Sequence, residues 1–133
     1  MAKVQKSKAF DVSADKMWQR IGDFHRFQTW QPGIEKEERI DGGSKRRLTL
    51  GGGMQMVEQL LDQAERQYTY SIDEGPLPIA NYVSTLRVRS AGDNACVVEW
   101  ESEFDPVGIP DDQAAAIVEA IYDSGLNGLA ATT

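Results

Sequence analysis

Residues 54–61 read MQMVEQLL. In a strand, alternation places Met54, Met56, Glu58 and Leu60 on one face, which sets a carboxylate in an apolar row. A carboxylate without a partner is costly to bury, so it must be neutralised, hydrogen-bonded or paired. Arg46, in GSKRRLTL just upstream, is the candidate partner. Both would face inward on neighbouring antiparallel strands, where a cross-strand ion pair can form. Two uses of the pair stay open. It can organise the floor of an interior without chemistry, or Glu58 can serve as acid/base with Arg46 or Tyr82 stabilising an oxyanion.

Other chemistries have less to stand on. The single cysteine, Cys96, excludes an internal disulfide and a cysteine-based zinc site, and its setting ACVVEW reads as strand packing. The lone histidine, His25, builds neither a His-rich metal centre nor a Ser/His/Asp set, and reads as a helix-surface residue. No metal and no cofactor are expected. The glycine run TLGGGM lacks the Lys-Ser/Thr and the strand-to-helix setting of a phosphate loop, so a flexible hairpin or lid is expected there. With a net charge of −7 and SKRR as the one dense basic cluster, nucleic-acid binding is not expected.

The elements that would position these residues follow from the pattern. The 133 residues fit one domain, 1–133. No apolar run approaches the roughly 20 residues of a membrane span, and MAKVQKSKAF lacks a signal-peptide core, so a cytoplasmic location is expected. A first strand ends at DVSADKMWQRIGDF, where Ser13 can cap a helix carrying Met17, Trp18 and Ile21. HRFQTWQPGI predicts a second short helix stopped by Pro32. From Ile34 to Asp105, turn signals at 41–43, 51–53, 62–66, 73–78 and 90–94 divide the chain into six antiparallel strands. Alternation groups Tyr68, Tyr70 and Ile72, then Tyr82, Ser84, Leu86 and Val88, and sets Trp100, Ser102 and Phe104 opposite Glu99, Glu101 and Glu103. A long helix from about Asp111 carries Ala114, Ile117, Ile121 and Leu126 at helical spacing. Such a sheet buries its apolar face only by curling around that helix.

This order, an α+β arrangement with two short helices after strand 1 and a seven-stranded antiparallel sheet around a long C-terminal helix, resembles the helix-grip fold of the START-like, SRPBCC superfamily. The resemblance is to its polyketide cyclase/dehydrase-like branch, and it is carried by DKMWQRIGDF, TWQPGI, VEQLLDQAERQYTYSI, GPLPIANYVSTLRV, VVEWESEFDP and GLNGLA. The layout is similar to that of plant abscisic-acid receptors and lachrymatory-factor synthase. It implies a cavity between sheet and helix for a small apolar or amphipathic molecule. Carried over by position, Glu58 is the pocket-facing glutamate, Tyr82 and Ser84 the polar pair, and Tyr70 and Ile72 the wall. Arg46, Leu48 and Met56 face inward beside Glu58, with Trp100 on the last strand and Ile117, Ile121 and Gly125 on the helix. LGGGM and EGPLPIAN would form the mouth. Pro32 stands where the hormone receptors hold a lysine and Trp100 where they hold a glutamate, so that hormone is not the expected ligand.

The first functional reading is a binding protein for a small hydrophobic or amphipathic molecule. The second is an enzyme of the cyclase, dehydratase or isomerase kind built on Glu58. An interaction module using the acidic face of EWESE is a third, and a homodimer is compatible with the layout.

Overall fold

The computed structural model describes residues 2–132. Strand β1 (Ala2–Phe10) leads into α1 (Ala14–Ile21), whose first turn is capped by Ser13 Oγ accepting from the Lys16 N–H at 3.2 Å. Met17 and Ile21 are buried on its inner side, as their spacing predicts. The expected second short helix is only a 3₁₀ turn, Phe27–Thr29. It has no side-chain cap, and its one carbonyl at Phe27 receives both the Trp30 and Gln31 N–H groups before Pro32 ends the segment. His25 lies in the loop between these pieces and not on a helix surface. It is half-buried, and its Nε2 donates to the Gly43 carbonyl at 2.7 Å.

Strands β2 (Ile34–Ile40), β3 (Lys45–Leu50), β4 (Gln55–Ala64), β5 (Gln67–Glu74), β6 (Ile79–Ser90) and β7 (Cys96–Pro106) follow in an antiparallel meander. The sheet order is β1-β7-β6-β5-β4-β3-β2, so the first strand joins the last and the sheet has edges at β1 and β2. Register breaks between β4 and β5 and between β6 and β7 add local bends. The long helix α2 (Asp111–Thr132) crosses the concave face against β1 and β7.

Strand parity is as the alternation predicts. Leu86 faces Trp100 and Ser84 faces Ser102, with Trp100 and Phe104 each 1 % exposed. Glu103 is exposed, whereas Glu99 and Glu101 are half-exposed because Arg87 and Arg89 lie over their carboxylates. Met54 departs from the pattern. It sits before the first residue of β4 and is exposed, so the inward row begins at Met56.

Because neighbouring strands alternate in direction, the 51–54, 75–78 and 107–110 connections gather at one end of the sheet. At that end Gly52 and Gly53 hold φ of 86° and 83°, a region that L side chains avoid. Phe27, Trp30 and Trp100 form an aromatic cluster with centroid separations of 4.9 to 5.8 Å, Phe27 meeting both indoles edge-on and the two indoles tilted. Among the described residues, no helix is long and apolar enough to cross a membrane, and no group of His, Cys, Asp and Glu could hold a metal ion.

Candidate functional site

Arg46 and Glu58 are direct cross-strand partners on β3 and β4. Arg46 donates from Nε and Nη2 to the same oxygen, Glu58 Oε1, at 2.8 and 2.6 Å. Its Nη1 donates to the Phe24 carbonyl at 2.7 Å, and the Phe24 and Phe27 rings cover the guanidinium at 4.1 and 4.3 Å. The arginine is 0 % exposed and the glutamate 4 %. Burial pushes the Glu58 carboxyl up, and the Arg46 charge draws back only part of that shift. Burial works most strongly against the Arg46 charge, but Glu58 together with Tyr68 and Tyr70 outweighs it and leaves the guanidinium above its ordinary value. Arginine does not deprotonate in proteins, so the buried cation keeps its counter-ion. Among the described residues no hydrogen bond ends on Glu58 Oε2.

Beside Glu58, a pocket of about 380 Å³ lies between the sheet, α2 and the 27–34 segment. Of the residues singled out from the sequence, Leu48, Met56, Glu58, Tyr70, Ile72, Tyr82, Trp100, Ile117 and Ile121 border it. Three residues expected there do not. Arg46 stands behind Glu58, covered by rings. Ser84 is turned to α2, its Oγ 2.9 Å from the Tyr122 hydroxyl. Gly125 is a contact point of the helix, where a Cβ would fall 2.7 Å from Trp100 and closer still to Gln31. The wall also holds Phe27, Gln31, Leu50, Leu77 and Val118, which sequence reasoning did not single out. A more open groove of about 460 Å³ runs along β1, β6 and β7, past Lys3, Gln5, Thr85 and Glu103. Its rim is polar, and the buried pair does not border it.

The back of the pocket is a chain of hydroxyls. Trp100 Nε1 donates to the Tyr70 hydroxyl at 3.0 Å; Tyr70 and Tyr82 are 3.4 Å apart, and Tyr82 and Tyr122 2.5 Å. Tyr122 stacks on Trp100 with centroids 4.2 Å apart and planes at 14°. Burial pushes its phenol up to about 12 and those of Tyr70 and Tyr82 well above the usual value, so all three are neutral at physiological pH. Tyr122 was not legible as a site residue, because its neighbour Ile121 carries the same apolar signal. Tyr122→Phe should cost about 1–3 kcal/mol in urea melts, since it strips a partner from the buried Tyr82 and Ser84 hydroxyls. An unchanged midpoint would show that the chain contributes no stability.

The polyketide cyclase / dehydrase and lipid transport family model matches residues 1–133. The protein XoxI from Bacillus cereus is 36% identical, with 97% of this chain and 93% of that chain covered at a TM-score of 0.94. Zhui aromatase/cyclase from a Streptomyces species is 18% identical over 97% of this chain and 89% of its own, with a TM-score of 0.76. Norcoclaurine synthase from Thalictrum flavum, solved with dopamine and hydroxybenzaldehyde, is 20% identical over 96% and 83%, with a TM-score of 0.69. No curated protein matches the sequence. A match along the whole chain, together with the seven-stranded sheet gripping α2, places this protein in the polyketide cyclase / dehydrase and lipid transport family.

Proposed function

We propose that this protein binds a small hydrophobic or amphipathic molecule in the space between sheet and α2. The observation that carries the reading is an apolar wall interrupted by one buried carboxylate, Glu58, which has an oxygen left uncommitted on the pocket side. Arg46 holds that carboxylate in place and leaves the ligand to meet the glutamate alone. The family match supports the same class of function.

The reading is tested with N-phenylnaphthylamine, an uncharged apolar dye, and with native mass spectrometry of protein taken from its own host. A co-purified small molecule is expected, and the dye should compete with it. Ile121→Trp, which fills the pocket from a half-buried position on α2, should weaken dye binding about tenfold or more while circular dichroism is unchanged. Dye uptake that ignores this substitution would sink the proposal.

A second reading, turnover of the cyclase, dehydratase or isomerase kind, draws on the upward shift of Glu58 and its free oxygen. In that reading Tyr82, which borders the pocket, is left as the oxyanion donor, because Arg46 lies outside it. Glu58→Gln would then abolish turnover of a bound substrate while leaving its binding.

A further inference from the structure

The polar groups on the pocket wall are unevenly divided between donors and acceptors. Among the described residues, no lysine, arginine or histidine borders it. The nearest buried cation, Arg46, has Nε, Nη1 and Nη2 committed to Glu58 and to the Phe24 carbonyl, with an aromatic ring on each side. The ion pair is therefore oriented, with its negative end toward the pocket and its positive end away. Gln31 also borders the pocket and is 7 % exposed. Its Nε2 donates to the Ile121 carbonyl at 3.2 Å, and its Oε1, buried with no hydrogen-bond partner among the described residues, lies against Gly125 of α2 rather than toward the pocket. The amide cannot gain by turning over, since that would set its oxygen against the Ile121 carbonyl oxygen. The Tyr82 hydroxyl is engaged by Tyr122 and Tyr70, the Tyr70 hydroxyl by Tyr82 and the Trp100 N–H, and the remaining hydroxyl residue on the wall, Ser124, is an exposed residue of α2.

Resting on the reading that this pocket binds a small molecule, we infer that its ligands carry a hydrogen-bond donor, an amine or a hydroxyl, at the end that meets Glu58, and that carboxylates are rejected. An amine or hydroxyl entering the pocket finds the lone pairs of Glu58 Oε2, which no described residue uses. A carboxylate would lose its hydration beside a like charge, with no cation on the wall to replace the lost water. Buried acceptors left unpaired discriminate strongly against a ligand that lacks the matching donor.

The test uses three probes that share one bicyclic body: naphthylmethylamine, naphthol and naphthoate, each titrated at neutral pH against bound N-phenylnaphthylamine. The amine and the alcohol should displace the dye at concentrations at least about tenfold below naphthoate. In Glu58→Gln/Arg46→Met, which removes both charges together, the amine-to-naphthoate ratio should fall toward unity. Should that variant not fold, the wild-type order decides alone. Naphthoate competing as well as the other two, or no probe displacing a dye that does bind, overturns the donor requirement and leaves the binding reading standing. Failure of the dye and all three probes to bind overturns both.

Discussion

Glu58→Gln and Arg46→Met should each destabilise the protein by about 3 kcal/mol or more, while the double variant should regain much of that loss. Both charges are almost wholly withdrawn from solvent, at 4 % and 0 % exposure, so removing one leaves the other buried without its counter-ion. The two losses should not be equal. Arg46 also holds the Phe24 carbonyl and lies between two phenylalanine rings, so Arg46→Met removes contacts that Glu58→Gln leaves in place. The double variant should therefore stop short of wild type, since the Phe24 carbonyl still lacks its donor. Urea melts of the four proteins give the coupling energy directly. A coupling below about 0.5 kcal/mol would mean that the contact contributes nothing as a pair, and Glu58 would then have to be explained by what it does for a ligand.

The next largest effect is expected at the helix that the sheet grips. A Cβ on Gly128 would fall 2.6 Å from both the Trp30 carbonyl oxygen and Pro32 Cδ, and one on Gly125 would meet Gln31 and Trp100. The Gly128 neighbours are backbone and a proline ring, which cannot swing aside; at Gly125 the Trp100 ring is fixed by the Tyr122 stack. Alanine in place of glycine inside a helix normally gains up to about 1 kcal/mol. Here overpacking of about 1–3 kcal/mol should reverse the sign, with Gly128→Ala the worse of the two. Thermal melts check this, and a rise in Tm at either position would show that α2 shifts outward without cost.

The sheet was legible because its inward and outward sides differ in chemistry. Between Glu99 and Phe104 a slip of one residue would bury glutamates and expose Trp100, so only one parity is affordable. The Arg46–Glu58 pair was legible for the same reason, as a charge in an apolar row calls for a partner one strand away. On α2 the signal was blurred. Ile117 and Val118, then Ile121 and Tyr122, are adjacent apolar pairs, and helical period cannot say which member of each turns inward. Packing against β1 and β7 buries Val118 and Tyr122 and leaves Ile117 and Ile121 half-buried along the pocket. Gln31 was invisible as a site residue. A glutamine before a proline in a polar loop reads as solvated, and only the passage of α2 over it closes off its amide.

Trp100 gives the pocket an optical consequence. Its indole borders the cavity, lies flat on Tyr122, and has its N–H committed to Tyr70, so its emission comes from a rigid, dry setting. Trp30, with its ring centre 5.4 Å away, is close enough to share excitation with it, while half-buried Trp18 sits apart beside Tyr68. A molecule entering beside Trp100 changes what one edge of that chromophore touches. The colour and lifetime of the protein's own ultraviolet glow therefore make occupancy readable without a label.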